Sequence, residues 1–394
     1  MSFILQSQIR RMNNSTAIIG GGAAGLMALS ILGHEAFVLE HRNECGRKLL
    51  ISGGGRCNFT TSDNIETLIT RYYDKKNFVS PALYGFPPEK IRSYFASLGV
   101  NSIREESGKI FPASGKAIDI VDALQKNEGK IFYGERIRGI RKEDGLFVID
   151  TDKKQHRAKY LIIATGGITF PETGSDGSLN SLITSLGHTI VSQRGVLTEI
   201  MCPSLPLFKA EGVSLNMSLK KGKIRMSGEA VITKRGISGP LAENFSHYLE
   251  REDEVSLAFL SLRRESFSLF SQKALLKNAL PLPERLTEAV IPSLAGKRIA
   301  ELSNADKDTV IKALAENRTE VRLNERRAMC TRGGVDTAEI DRKSMESKIV
   351  ENLYFAGEVI DVDGECGGYN ITWAFSSAAM VAGSIRKKNN LMLS

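Results

Sequence analysis

No run of apolar residues in this 394-residue chain approaches the ~18 needed to span a bilayer, so no membrane helix and no membrane partner are expected. Cysteine is sparse. Cys45, Cys57, Cys202, Cys330 and Cys366 are odd in number, widely spaced and without a C-x-x-C pair. That pattern excludes a disulfide framework, a structural zinc site and the closely spaced redox disulfide of thioredoxin-reductase type. Five histidines scattered singly give a metal centre nothing to stand on, and no metal is expected. Aromatics make up 7% of the chain, and no aromatic-basic motif accompanies the net charge of +8. Cations are interleaved with acids, so the charge reads as a solvated basic surface that attracts anionic ligands, with no nucleic-acid partner expected. The apolar patch before Arg10 and Arg11 reverses the order of a secretory signal, and a cytoplasmic protein is expected. The length predicts two or three domains, and the oligomeric state is not legible.

What is present begins with Ile18-Ile19-Gly20-Gly21-Gly22-Ala23-Ala24-Gly25-Leu26, followed by the apolar run Ala36 to Leu39 and then Glu40. In a βαβ unit the first glycine of G-x-G-x-x-G makes the tight turn after the strand. The second lets backbone approach a pyrophosphate, and the third lets helix and strand pack closely. The phosphates then sit on the helix N-terminus. Glu40 falls 20 residues after Gly20, where an acid ending the second strand accepts from ribose hydroxyls. The motif predicts a dinucleotide and leaves FAD and NAD open.

Further along, Ile91, Tyr94, Phe95 and Leu98 recur at helical spacing in a stretch from Pro88 to Gly99. Lys130 to Tyr133, Arg136 to Lys142, Leu146 to Thr151 and Gln155 to Lys159 read as a small antiparallel meander, turning at Glu143-Asp144-Gly145. It feeds the apolar strand Leu161 to Ala164, an excursion more usual in flavin domains than in NAD-binding halves. Strands at Thr189 to Ile200, Val213 to Lys220 and Lys223 to Thr233 predict a β-rich insert, with Ser238 as N-cap of a helix at Pro240. Ser266 to Asn317 reads as mostly helical, including Ala300 to Glu316. Leu353 to Ala356 is the last strand, and Ile371 to Ile385 has the composition of a buried helix.

Four segments can converge at the carboxyl ends of parallel strands, where open α/β sheets place their ligands. The first is the opening loop. In the second, Gly46 to Asn58, Arg47 and Lys48 can meet phosphates while Gly53, Gly54 and Gly55 let backbone approach a flat ring. The third is Thr165-Gly166 at a strand end. The fourth is Gly357-Glu358, then Asp361 to Asn370 and a helix; here a carboxylate can accept from ribityl hydroxyls. The positive end of that helix can stabilise the charge that builds at N1 and the C2 carbonyl of a reduced flavin. A nicotinamide makes no such demand, so the fourth segment favours FAD. Asp361, Asp363 and Glu365 lack the ligand spacing of an EF-hand.

The segments GGGAAG (20–25), GRKLLISGGGRCNFT (46–60), GKIFPASGKA (108–117), IATGG with FPETGSDG (163–177), GISGP (236–240), RGGV (332–335) and 345–377 resemble the aminoacetone-oxidase-type family of NAD(P)/FAD-dependent oxidoreductases. Its members include reductases acting on bile-acid intermediates. The resemblance implies an α/β fold, a glutathione-reductase-type, Rossmann-like FAD-binding domain with an inserted small β-barrel and helical piece. The expected boundaries are 12–190 and 321–394 for the flavin domain, 191–265 for the barrel and 266–320 for the helices. By the same resemblance Gly20, Gly22, Ala24 and Gly25 hold the pyrophosphate and Glu40 the adenosine ribose. Ala23, His41 and Gly357 join the cofactor contacts, and Ile137 offers backbone to adenine. Arg47 and Lys48 lie along the phosphates, and Ser52, Gly53, Gly54, Gly55, Arg56, Cys57 and Asn58 pass near the isoalloxazine. Thr165 and Gly166 border the adenosine half, Glu358 meets the ribityl chain, and Gly368, Asn370 and Ile371 cap the pyrimidine edge. Two positions depart from the family pattern: Thr233-Lys234 replaces an expected Thr-His pair, and Arg332 replaces a small residue.

The expected activity is that of an FAD-dependent oxidoreductase moving a hydride between flavin N5 and a small-molecule substrate, anionic if Lys234 or Arg332 faces it. With a single G-x-G-x-x-G given to FAD, any NAD(P)H would visit transiently. A flavin-bearing RNA- or protein-binding module and a plain NAD-dependent dehydrogenase are the alternatives. No catalytic acid or base follows from the residues; Arg56, Asn58 and Tyr369 lie near the expected ring.

Overall fold

A computed structural model describes residues 15–126 and 129–391, so the expected domain start at residue 12 lies outside the described residues. The chain forms two compact units, one from the residues before 195 and after 329, the other Gly195–Met329. No described helix is long and apolar enough to cross a membrane.

The first unit is built on a five-stranded parallel sheet, in the spatial order Leu353–Phe355, Tyr160–Ile163, Thr16–Ile19, Ala36–Glu40, Lys130–Tyr133. Its central strands are buried at every position, which is why they read as apolar runs and not as alternation. Lys130–Tyr133 belongs here and not to the expected meander. It is the sheet edge, and its half-exposed residues hide the signature of a parallel strand. The meander proper is Ile137–Glu143, Leu146–Thr151 and Gln155–Ala158. It turns at Asp144 (φ 50°) and Gly145 (φ 78°), the left-handed pair that a two-residue hairpin requires. The helix Ala23–Leu32 and the long C-terminal helix Tyr369–Leu391 pack together. Trp373, Phe375, Val381 and Ile385 are buried, each large side chain contributing roughly 1.5–3 kcal/mol.

A three-stranded sheet of Thr60–Thr61, Lys109–Pro112 and Ser102–Arg104 was not expected; strands this short carry no readable period.

His188 is buried against Phe355, with Nδ1 3.1 Å from Glu339 and Nε2 2.8 Å from Ser347 Oγ. Burial holds its pKa below the ordinary value, outweighing the pull of Glu339. The unfolded chain therefore takes up a proton first, near pH 6.5, and stability is full above that pH and drains as pH falls below it. Thermal melts between pH 7.5 and 5 should show Tm falling with pH, with a shallower fall in His188→Gln; equal slopes would refute this.

The second unit is a closed barrel, in the order Ile200–Met201, Gly236–Ser238, Ile224–Ile232, Ser214–Lys221, Glu252–Ala258, Asn317–Leu323 and back to the first. Closure leaves no edge strand exposed. Barrel residues Leu219, Ile232, Leu257 and Val321 share one core with Leu286, Leu294, Val310 and Leu314 of the helical segment. The insert is thus one unit. The expected boundary at 320/321 falls inside Asn317–Leu323, the strand that closes the barrel.

Three local expectations are corrected. Leu197 (φ 54°) breaks the expected strand from Thr189 into Ile190–Val196 and Ile200–Met201. Ser238 ends a strand; Gly239 (φ 90°) is the N-cap and Pro240 opens the helix. The helix expected from Ala300 is Asn304–Leu314, because Ser303 Oγ accepts from Asp306 N–H at 3.1 Å and the Asp306 carboxylate accepts from Ser303 N–H at 3.0 Å.

Candidate functional site

The site lies in the first unit, where the loops after Thr16–Ile19, Tyr160–Ile163 and Leu353–Phe355 meet at one end of the sheet. Gly20 turns there with φ 102°, and a Cβ on it would lie 2.6 Å from Ala164 O and 3.1 Å from Thr165 Cα. A Cβ on Gly25 would lie 1.9 Å from Gly20 O. Both glycines serve close approach of backbone to backbone. Gly22 differs: its φ is −81° and nothing lies within 4 Å of its missing Cβ. It is the N-cap of Ala23–Leu32, with no side-chain cap and no acid in the first turn, so Ala23 and Ala24 head a helix end open to an anion.

Glu40 is buried. Its Oε2 accepts from Gly21 N–H at 2.7 Å and its Oε1 from Arg42 N–H at 2.8 Å, with His41 Nδ1 3.3 Å away. A carboxylate offers about four lone-pair sites, so two remain for hydroxyls of a bound ribose. Ile137 begins a strand two residues after Glu135, whose N–H donates to Glu40 O at 2.9 Å. His41 Nε2 and Ser175 Oγ are both buried without a hydrogen-bond partner. They lie together: His41 borders Gly174, and Ser175 borders Gly166 (φ 74°). Buried polar groups are nearly always satisfied, and two orphans at one turn point to a ligand.

Arg47 and Lys48 part company. Arg47 faces outward to Glu44 at 3.2 Å, while Lys48 Nζ turns inward to Thr169 Oγ1 at 2.7 Å and Glu358 Oε2 at 2.8 Å. Glu358 also accepts from Thr331 N–H at 2.7 Å. Burial pushes this carboxyl up, but Lys48 and the Thr331 N–H outweigh it and hold the pKa below the ordinary value. Gly357 (φ 75°) is fixed by Ser377 Oγ, which accepts its N–H at 2.9 Å, and by Trp373 Nε1, which donates to its carbonyl at 3.2 Å.

Gly53, Gly54 and Gly55 are all left-handed (φ 55°, 67° and 83°), so the loop exposes bare backbone on a tight coil. Ser52 Oγ donates to Leu49 O at 2.7 Å, and Ser52 O accepts from Cys57 N–H at 3.0 Å. Cys57 is buried, and burial pushes its thiol up to about 12, so it has no thiolate for chemistry. Arg56 stacks 4.1 Å from the centre of the Phe111 ring and reaches Glu105 at 2.7 Å. Asn58 Oδ1 accepts from Ile110 N–H at 3.1 Å, and Asn58 abuts Gly368 across the chain.

Asn370 is engaged already: its Oδ1 accepts from Gly364 N–H at 2.8 Å and its Nδ2 donates to Gly364 O at 2.9 Å. Its side chain thus closes on Gly364, and Ile371 packs on the core. Tyr369 Oη donates to Asp63 at 2.8 Å, and burial is the main reason its phenol is pushed up to about 12. Asp361 pairs with Lys75 at 2.6 Å and Glu365 with Arg71 at 3.0 Å. Among the described residues no His, Cys, Asp and Glu cluster could hold a metal ion. Arg332 is half-buried beside Thr331, and Lys234 is exposed on the other unit.

Thr169, Ser175, Thr331, Glu105, Phe111 and Asp63 were not singled out from the sequence. Ser175 and Phe111 lie within the segments that carry the resemblance, and Thr169 lies between two of them, but no spacing rule gives them a role. Thr331 acts through backbone, which side-chain identity does not reveal.

Residues 14–385 match the family described as HI0933-like protein Rossmann domain. The chain is 32% identical to the ribosomal RNA dihydrouridine synthase of Haemophilus influenzae over 94% of this chain and 98% of that one. It is 28% identical to the 3-dehydro-bile acid delta(4,6)-reductase of Clostridium scindens over 92% of this chain and 97% of that one. In fold it is similar to 3-ketosteroid delta1-dehydrogenase from Sterolibacterium denitrificans, with a TM-score of 0.52 at 10% identity, covering 96% of this chain and 100% of that one. A Rossmann-like parallel sheet with uncapped helix and carboxylate-ended second strand, matched by the family's model over residues 14–385, places this chain in the HI0933-like family.

Proposed function

We propose that the chain is an FAD-dependent reductase that adds a hydride and a proton across a carbon–carbon double bond conjugated to a carbonyl, and that its substrate is uridine in ribosomal RNA. The observation that carries this reading is the 32% identity to a ribosomal RNA dihydrouridine synthase along almost the full length of both chains. The net charge of +8 suits a polyanionic substrate, although no recognition motif announces one.

The residues fit FAD: the open helix end at Gly22, the orphaned His41 Nε2 and Ser175 Oγ, the free lone pairs of Glu40 and the Lys48–Glu358 pair all await polar ligand groups. When bound, FAD supplies a hydride from its reduced N5. The chain then holds the substrate and its charge. Arg56, fixed by Glu105 and Phe111 beside the glycine loop, offers a guanidinium to the carbonyl oxygen as negative charge grows there. Tyr369 keeps its proton on Oη, shared with Asp63. Two electrons must be resupplied after each turnover, and a transient visit of NAD(P)H is the proposed source.

The Clostridium scindens relative favours a second reading, a small conjugated ketone reduced by the same chemistry. The two are separated by mixing anaerobically reduced protein with unmodified ribosomal RNA transcript or with a conjugated steroid ketone. The first reading expects flavin reoxidation by the RNA and dihydrouridine, two mass units above uridine, in its digest. Reoxidation by the ketone alone would contradict it.

A further inference from the structure

The barrel of Gly195–Met329 carries a row of exposed cations on neighbouring strands. Strand register aligns Arg225 with Lys220, Lys220 with Ser256, and Ser256 with Arg318, so four neighbouring strands present three cations and one serine in a single line. Arg225, Lys220 and Arg318 are exposed, and none has an ion-pair partner among the described residues. Like charges directly opposite on paired strands are destabilising, so the Lys220–Arg225 pair costs the barrel stability. Glu229 is the single acid in the hairpin Ser214–Ile232, against Lys220, Lys221, Lys223 and Arg225. Lys221 is taken up by Asp253.

Beside this row runs a second, Ser227–Ser218–Ala258, whose small side chains leave a groove of about 510 Å³. Arg225 stands at the groove, and Arg263 faces it from the chain after Glu252–Ala258, with Glu316 the one carboxylate in the lining. Strands lie about 4.8 Å apart, so the cation row extends roughly 15 Å, more than one small anion can use. No aromatic lines the groove on which a base could stack.

We propose that this barrel face is a docking surface for the phosphodiester backbone of RNA. Arg225, Lys220 and Arg318 contact successive phosphates, and the small-residue groove admits the chain beside them. The contacts are to backbone and independent of sequence, so they add affinity and leave selection of the target base to the other unit. The inference rests on the reading that RNA is the substrate.

The test uses the full-length protein and a labelled 20-nucleotide RNA. Lys220→Gln/Arg225→Gln/Arg318→Gln should weaken binding at least tenfold at 0.1 M salt. It should also lower the slope of log Kd against log salt by about 2, given roughly 0.7 per phosphate contact on a single strand. Lys273→Gln/Arg285→Gln/Lys312→Gln removes the same charge from the helical segment of the same unit and should stay within twofold of the parent. Equal weakening by both sets, no weakening by the first, or no RNA binding by the parent would each overturn the proposal. Unchanged flavin content and melting no lower than the parent's confirm that the variants are folded. Dihydrouridine formation is scored separately: its absence alongside the predicted binding pattern refutes the uridine reading and leaves the RNA surface standing.

Discussion

Gly25→Ala is expected to yield a protein that cannot retain flavin and melts well below the parent. The added Cβ would sit 1.9 Å from Gly20 O, a backbone atom with no flexible end to swing aside. Helix and strand must separate, which moves the helix end away from the turn at Gly20 and leaves part of the packing around buried Leu26 and Leu29 unmade. A forced backbone shift in a packed core belongs with the substitutions that cost about 4 kcal/mol or more. Gly22→Ala makes the informative contrast. Nothing lies within 4 Å of its Cβ position and its φ of −81° suits alanine, so the flavin-free protein should melt as the parent does. The new methyl would occupy the space that a pyrophosphate needs, so flavin affinity should fall at least tenfold. Calorimetry of the apoproteins together with flavin titration checks both. A Gly25→Ala protein with parental melting and flavin content would refute the close-packing account, and a Gly22→Ala protein with parental affinity would refute the placement of the phosphates.

The second large effect is expected at Lys48. In Lys48→Met, Glu358 keeps only the Thr331 N–H and Thr169 as neighbours for a largely buried carboxylate. Removing one partner of a fully buried pair costs about 3–5 kcal/mol; this pair keeps some solvent, so about 2–3 kcal/mol is expected at pH 7.5. The sign with pH follows from the depressed pKa of Glu358. The parent pair stabilises the fold in full above the ordinary carboxylate pKa near 4.3, and that contribution is lost as pH falls below this value and through the depressed pKa of the folded state. The difference between parent and Lys48→Met should therefore shrink chiefly on acidification below about pH 4.3. Adding Glu358→Gln to Lys48→Met removes the stranded charge and should restore most of the stability at pH 7.5 without restoring flavin. Urea unfolding of the four proteins forms the double-mutant cycle. A coupling energy near zero would mean that the pair contributes nothing.

The parts of the fold that were legible are those whose residues act locally. Asp144-Gly145 must turn left-handed, and it does; Gly20, Gly22 and Gly25 set the loop, strand and helix in an order that few sequences reach by chance. Lys130–Tyr133 was misplaced because a parallel edge strand looks like any half-exposed strand until its partner is known. Asn317–Leu323 was split for the same reason: its role as closing stave depends on pairing with residues sixty or more positions earlier, in Glu252–Ala258 and Ile200–Met201. At the site, Glu40 and Glu358 were legible as carboxylates ending strands. The inward turn of Lys48 and outward turn of Arg47 were not, since adjacent helical residues point in different directions and only the distant partner Glu358 draws Lys48 inward, while Arg47 meets Glu44 three residues before it. Asn370 was named through the family resemblance, and its side chain closes a local loop on Gly364, a partner that only the fold reveals.

The central claim is that the single glycine motif and the convergent strand ends hold FAD. The protein purified without added cofactor should be yellow, with absorption near 450 nm. Heat-released chromophore, separated by chromatography, should be FAD at about one per chain. Release of NAD, of FMN alone, or of no chromophore from a protein that also fails to take up added FAD would contradict the account.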